Sequence, residues 1–118
     1  DPISKVLQKT EKQLQEYFKG RRKKFELKLD LDGTEFQKKV WSQLMRVPYA
    51  HTRSYKDVAI QIGKKKAVRA VGSANGKNPV CIIVPCHRVI TSSGSLGGYS
   101  GGLKIKTTLL ELEKKYTQ

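Results

Sequence analysis

The dipeptide Cys86-His87 is the pair of neighbours in this chain best suited to carry chemistry. A free thiol has a pKa of about 8.5, and a nearby base or cation can lower it enough to produce a nucleophilic thiolate. Cys86 follows Pro85 and precedes the polar pair His87-Arg88, so it leaves an apolar segment where backbone groups are free. Because adjacent side chains of an extended chain point to opposite sides, contact between Cys86 and His87 requires a turn here.

The alternative interpretation of a buried cysteine is that it is only a small apolar residue. That interpretation suits Cys81, which lies inside the apolar run Val80–Val84, better than it suits Cys86. Two cysteines so close together are too few for a disulfide framework, and their spacing matches no common zinc pattern. We therefore predict free thiols and no metal site.

The charge of the chain indicates its partner. Lys and Arg number 24 against 10 Asp and Glu, which gives a formal net charge of +14 over 118 residues. A domain this basic attracts polyanions, with nucleic acid the first candidate and an anionic membrane surface the second. A merely lysine-rich surface is the alternative. No apolar run is long enough for a membrane span and the N-terminus lacks a signal-peptide pattern, so we expect a cytoplasmic protein, or a nuclear one if the source is eukaryotic.

The elements that must position these residues follow from periodicity. Apolar residues at helical spacing predict a helix over 3–18, and the alternation over Phe25–Leu31 predicts a half-buried strand. Thr34-x-x-Gln37 is a capping-box pattern that begins a second helix, which Pro48 limits. The chain length suits one domain.

Two short helices follow, one that Ser54-x-x-Asp57 begins and Gly63 closes, and one from Ala67 to Ala74 that Asn75-Gly76 would end. Joined by a tight turn, they are a helix-turn-helix candidate. The apolar run Val80–Val84 predicts a short buried strand before Cys86. A Gly- and Ser-rich loop over 91–102 then leads to a final helix over 103–116.

The segment Pro85-Cys86-His87-Arg88-Val89-Ile90 resembles the active-site signature of the O6-alkylguanine-DNA alkyltransferase family. Further motifs resemble that family in the expected order, across about 34–113, namely Arg53-Ser54-Tyr55, Ala67-Val68-Arg69-Ala70-Val71-Gly72, Asn78-Pro79-Val80 and Gly98-Tyr99-Ser100-Gly101-Gly102-Leu103. Alkyltransferase-like proteins share the scaffold but carry Trp in place of the reactive Cys, so the intact Cys86 argues against that branch.

The resemblance implies a catalytic role for four residues. Cys86 would accept the alkyl group, His87 would act as its base through a water, and Glu113 would orient and polarise His87, in the usual manner of an activated nucleophile. Asn78 would hydrogen-bond the turn that presents Cys86. Without the resemblance, Glu113 would be an ordinary surface charge on the last helix.

The resemblance also implies a pocket for the guanine. Tyr55 and Ser100 would hydrogen-bond the base, and the backbone carbonyls of Cys86 and Val89 would accept from its exocyclic amine. Tyr99 would form a wall of the pocket, and Gly98 would leave room for the base.

The predicted DNA contacts centre on the second helix of the helix-turn-helix. The resemblance makes Arg69 a finger that enters the duplex where the guanine flips out, a step that costs a few kcal/mol. The alternative is a solvated helix charge. The small residues Ala67, Ala70 and Gly72 suit close approach to the minor groove. The flanking phosphate contacts are predicted at Lys64, Lys65, Lys66 and Lys77.

We predict an α+β fold that is mainly helical, with a helix-turn-helix and a Cys active-site loop in residues 34–118. Residues 1–33 would be the remnant helix and strand of a smaller N-terminal domain. The predicted reaction is one irreversible transfer from O6 of guanine in double-stranded DNA to Cys86, by a monomer and without a cofactor. The rivals are a lesion-recognition module that does not react, a Cys hydrolase, and a basic structural nucleic-acid protein.

Overall fold

A computed structural model describes residues 1–99 and 101–117 of the chain. Five helices carry the fold: α1 (Pro2–Phe18), α2 (Glu35–Leu44), α3 (Tyr55–Gln61), α4 (Val68–Gly76) and α5 (Leu103–Lys115). Two short strands, β1 (Arg53–Ser54) and β2 (Val89–Ile90), pair in parallel with Arg53 opposite Val89. The domain is therefore mainly helical with a small sheet. Within the described residues, no helix has both the length and the apolar character that a bilayer span requires.

Reciprocal capping boxes begin two of these helices, as the sequence predicts. The Thr34 hydroxyl accepts a hydrogen bond from the Gln37 amide at 3.0 Å, and the Gln37 side-chain oxygen accepts one from the Thr34 amide at 2.9 Å. Ser54 and Asp57 make the same reciprocal pair at the start of α3. These caps satisfy helix N–H groups that would otherwise lack partners, which fixes where each helix begins.

The core lies between α2, α3 and α4. Val40, Trp41 and Leu44 of α2 are buried, as their shared helical face predicts. The indole nitrogen of Trp41 donates to the Ala74 carbonyl at 2.9 Å and so ties α2 to α4. Cys86 belongs to the same apolar cluster, so the packing of these helices bears directly on its position.

The strand predicted over Phe25–Leu31 is wrong. Burial does alternate along the segment, since the four apolar side chains are half-buried and the residues between them are exposed. The segment nevertheless pairs with no described strand. The buried amide of Gln13 instead bonds both backbone groups of Glu26, at 2.9 and 3.2 Å. The Gln13 side chain therefore makes the two hydrogen bonds at Glu26 that the backbone of a neighbouring strand would otherwise make.

The strand predicted over Val80–Val84 is also wrong. The Val84 amide donates back to the Val80 carbonyl at 3.0 Å, and Ile82 at the reversal has a φ of 75°. The run forms a tight turn in which Ile83 and Val84 are buried and the three residues before them are half-buried. Apolar periodicity does not distinguish such a turn from a strand. Helix α4 also continues through Asn75 and Gly76, although this dipeptide predicts that the helix ends at Ala74.

Candidate active site

The carboxylate of Glu113 is the centre of the candidate site. Glu113 lies on α5, is fully buried, and accepts hydrogen bonds from five donors. One oxygen accepts from the Tyr17 hydroxyl and from His87 Nε2, each at 2.6 Å, and from an Arg88 terminal nitrogen at 2.9 Å. The other accepts from Arg88 Nε at 2.9 Å and from the Ala50 amide at 3.0 Å. One carboxylate thus joins α1, the loop before β1, the active-site turn and α5.

The hydrogen bonds of Glu113 determine its charge. Burial alone would raise the pKa of this carboxyl, but the bonds from His87 and Arg88 outweigh it and lower the pKa to about 2. Glu113 is therefore ionised at neutral pH, and the guanidinium of Arg88 provides its counter-charge. An isolated ionised carboxylate could not be buried at such a position, because its desolvation would not be compensated.

The imidazole of His87 is fixed in one tautomer by this contact. An ionised carboxylate can only accept, so Nε2 carries the hydrogen and Nδ1 has a free lone pair. Burial lowers the pKa of His87, against the raising effect of Glu113, so the ring is neutral at pH 7. Nδ1 is buried and has no hydrogen-bond partner among the described residues. That atom is the one able to accept a proton.

Cys86 occupies a turn that amide side chains hold. Its amide donates to the Val84 carbonyl at 2.8 Å, and Asn78 Nδ2 donates to the same carbonyl at 2.7 Å. Asn78 Oδ1 accepts from the Val80 amide at 2.9 Å, so one side chain spans the turn. Asn75 Nδ2 lies 3.3 Å from the Cys86 carbonyl oxygen.

The thiol of Cys86 is 1% exposed, and this burial raises its pKa to about 11, although Asn78 opposes the shift. Cys86 is therefore a neutral thiol at rest and needs a base to react as a thiolate. Within the described residues no direct hydrogen bond joins Cys86 to His87. Contact between the two requires an intermediary that reaches Nδ1.

Residues predicted to line the base pocket surround this turn. The Tyr55 hydroxyl lies 3.4 Å from the Gly98 carbonyl oxygen. Burial raises the pKa of Tyr99, and the nearby Cys86 and Cys81 thiols add to that shift. A Cβ at Gly98 would meet no atom within 4 Å, whereas one at Gly97, where φ is +68°, would meet the Tyr55 ring at 3.1 Å. Packing therefore requires glycine at Gly97, and also at Gly101, where a Cβ would meet the Tyr99 ring at 2.9 Å. The predicted contact at Ser100 lies outside the described residues.

Lys106 is a buried residue of the site that the sequence analysis did not identify. Its side chain is fully buried, and its ammonium donates to the Val89 carbonyl at 2.6 Å, to the Gly98 carbonyl at 3.3 Å and to the Leu96 carbonyl. It therefore holds the glycine-rich loop against β2. Burial lowers the pKa of Lys106. Helical spacing in the sequence could have indicated this burial, because Lys106 shares the buried face of α5 with Glu113.

The predicted DNA contacts lie on a separate, exposed part of the surface. Helices α3 and α4 pack against each other and against α2. Arg69 and Ala70 on α4 are exposed, while Ala67 and Gly72 are half-buried. All the flanking lysines predicted to contact phosphates are exposed: Lys64, Lys65, Lys66 and Lys77.

Comparison with known proteins identifies relatives over most of the chain. Residues 35–115 match the family model for the DNA binding domain of 6-O-methylguanine DNA methyltransferase. A methylated-DNA–protein-cysteine methyltransferase of Methanosarcina barkeri is 53% identical over 93% of this chain and 70% of its own length. One of Mycobacterium leprae is 59% identical over 86% of this chain and 62% of its own length. The chain thus spans about two thirds of these relatives.

Solved structures give the same result. The crystal structure of Mycobacterium tuberculosis OGT in complex with DNA superposes with a TM-score of 0.89 at 55% identity, over 91% of this chain and 65% of that one. S. pombe Atl1 in complex with damaged DNA containing O6-carboxymethylguanine has a TM-score of 0.61 at 30% identity, over 71% of this chain and 80% of that one. With its match over 35–115, the chain belongs to the 6-O-methylguanine DNA methyltransferase family.

Proposed function

We propose that the protein repairs DNA by transferring an alkyl group, typically methyl, from O6 of guanine to the sulfur of Cys86. The observation that carries this proposal is the arrangement around the buried thiol. Cys86 precedes His87, whose Nε2 is bound to Glu113 at 2.6 Å and whose Nδ1 has no hydrogen-bond partner in the part of the chain that the structure describes. A neutral thiol beside a neutral, correctly oriented base is the resting state that an activated nucleophile needs.

In the proposed reaction His87 Nδ1 takes the Cys86 proton through one water. The thiolate then attacks the alkyl carbon, and the C–S bond forms as the C–O6 bond breaks. The bonding electrons leave with the guanine, which departs neutral by taking one proton from a hydrogen-bond donor of the pocket or from water, and the proton that His87 took from Cys86 restores the balance. Glu113 stabilises the imidazolium that forms, because it is already ionised and hydrogen-bonded. A thioether is not readily cleaved, so each molecule acts once and needs no cofactor.

The base would enter beside the loop that Lys106 holds. Tyr55, Tyr99 and Ser100 are proposed to contact the guanine, together with the Cys86 and Val89 carbonyls. The Val89 carbonyl already accepts from Lys106 at 2.6 Å, but a carbonyl has a second lone pair for the exocyclic amine. Asn78 is proposed to keep the Cys86 turn in place.

DNA would bind to α3 and α4 as a helix-turn-helix, with Arg69 taking the place of the flipped guanine. Support comes from the exposure of Arg69, which makes no hydrogen bond or ion pair with any described residue. The exposed lysines around α4 suit contact with phosphates on either side. The partner would be double-stranded DNA carrying O6-alkylguanine, bound by a monomer, and residues 1–33 would be the last part of a smaller N-terminal domain.

The test is reaction of the full chain with O6-benzylguanine, followed by mass spectrometry of the intact protein and its peptides. We expect one benzyl group per molecule, on the peptide that contains Cys86, and none after Cys86→Ser. Cys81→Ser is the matched control and should react as the wild type does. DNA binding without any adduct would favour the non-reactive lesion-recognition module, and repeated turnover would favour a hydrolase.

A further inference from the structure

The two cysteines of the chain lie next to each other across the turn that precedes the active site. The sulfur of Cys81 is 3.9 Å from the sulfur of Cys86. The turn between them reverses at Ile82 and is closed by the bond from the Val84 amide to the Val80 carbonyl. Cys81 is half-buried, whereas Cys86 is buried. The proposed alkyl acceptor therefore has a second, more accessible thiol beside it.

We propose that Cys81 and Cys86 form a reversible disulfide when the protein meets a peroxide, and that this disulfide holds Cys86 in a state that cannot accept an alkyl group. The consequence for repair rests on the proposed function, but formation of the disulfide does not. The chemical class of the reactant is a hydroperoxide, with hydrogen peroxide as the simplest member.

Exposure sets the order of the two steps. A peroxide reaches Cys81 first and oxidises its thiol to a sulfenic acid, with release of one water. The Cys86 sulfur then attacks the Cys81 sulfur. The S–S bond forms, the S–O bond breaks, and the Cys86 proton leaves with the hydroxyl group as a second water. The two thiols lose two electrons and the peroxide gains them, so the sequence is balanced.

The site favours this order over direct oxidation of Cys86. Cys86 is 1% exposed, and burial keeps it a neutral thiol that reacts slowly with an external oxidant. The neighbouring sulfenic acid needs no access from solvent, because it is already 3.9 Å away. A disulfide requires sulfurs about 2.05 Å apart, so the pair must approach by about 2 Å, which side-chain rotation can provide.

The backbone around the pair is held in place. Asn78 bonds the Val84 carbonyl at 2.7 Å and the Val80 amide at 2.9 Å, which limits how far the two cysteines can separate. Tyr99 lies beside both thiols on the pocket side, since burial raises its pKa and the neighbouring Cys86 and Cys81 add to that shift. The sulfurs meet because of the turn, and their proximity does not depend on a rare opening of the fold.

The experiment treats the full, reduced chain with a molar excess of hydrogen peroxide, removes the peroxide, and then adds O6-benzylguanine. We expect the intact protein to lose the mass of two hydrogens, with the Cys81 and Cys86 peptides linked. Benzyl transfer should be lost with that change and restored by dithiothreitol. Cys81→Ser is the matched variant. It should form no linked peptide and should keep benzyl transfer after the same treatment.

Two results would overturn the proposal. One is absence of the linked peptide from the peroxide-treated wild type. The other is loss of transfer in Cys81→Ser to the same extent as in the wild type, which would mean that peroxide attacks Cys86 directly. Failure of the proposed function is recognised separately, because untreated, reduced protein would then give no benzyl adduct while the linked peptide would still be scored by mass alone.

Discussion

Replacing Tyr17 with Phe removes one hydroxyl from the buried carboxylate of Glu113 and keeps the ring that packs around it. Tyr17 is fully buried on α1, and its hydroxyl donates to Glu113 at 2.6 Å. A hydrogen bond to a charged group contributes about 1.5–3 kcal/mol to stability. Because four donors to Glu113 remain, we expect a loss near the middle of that range, about 2 kcal/mol. For a domain of this size that lowers Tm by about 8 °C.

Tyr49 provides the matched control. Its ring packs edge to face against the Tyr17 ring, with the two ring centroids 6.1 Å apart. Its buried hydroxyl has no hydrogen-bond partner among the described residues. Removing an unsatisfied buried hydroxyl is close to neutral or slightly stabilising. Urea unfolding of Tyr17→Phe and Tyr49→Phe, measured side by side, separates the contribution of the hydrogen bond to the free energy of unfolding from the effect of changing a tyrosine in this cluster. Equal losses of stability in the two variants, or no loss in Tyr17→Phe, would refute the conclusion that the hydrogen bond to Glu113 stabilises the folded protein.

Three other predictions concern charge and DNA. The pKa of Glu113 is about 2 in the folded protein against an ordinary 4.5. A carboxyl whose pKa is lowered by folding stabilises the folded protein at pH values above its ordinary pKa, and this stabilisation is lost as the pH falls through the folded value. The free energy of unfolding should therefore fall by about 3 kcal/mol as the pH drops from about 4.5 to 2. Urea titrations at stepped pH test this, and Glu113→Gln should lack that fall. Arg69→Ala should slow methyl transfer from duplex DNA far more than benzyl transfer from the free base, since the free base needs no flipping; equal slowing in the two rate assays would indicate a role in the fold. With roughly four phosphates contacted, log K for DNA should fall against log salt with a slope of about −3.6, and a slope near zero in a binding titration would exclude attraction by charge.

The helices and their starts could be predicted because they depend on local signals. The capping patterns at Thr34 and Ser54 specify hydrogen bonds three residues away, and both are made. The conformation of the two apolar runs was harder to predict, because a buried apolar segment can be a strand, a turn or irregular chain. Val80–Val84 is a turn that is buried only at its end, and Phe25–Leu31 is irregular chain with half-buried apolar side chains. In both segments the decisive backbone bonds lie outside a strand ladder.

The site was predictable only in part for a related reason. Cys86, His87 and Asn78 lie within nine residues of one another, so a motif can specify them. Tyr17 is 96 residues from the Glu113 that it bonds, and no local pattern indicates that contact. Lys106 resembles any lysine of a basic helix until the loop carbonyls that it binds are brought together by the fold.

The most direct test of the proposed function is the fate of the methyl group itself. A duplex oligonucleotide containing one O6-methylguanine, with an isotopically labelled methyl, is mixed with the full chain in a range of ratios. We expect label to leave the DNA in a single turnover, one methyl for each active molecule, and all of it to be recovered on the sulfur of Cys86. Methyl loss beyond one per protein molecule, or label recovered on any other residue, would contradict the proposed function.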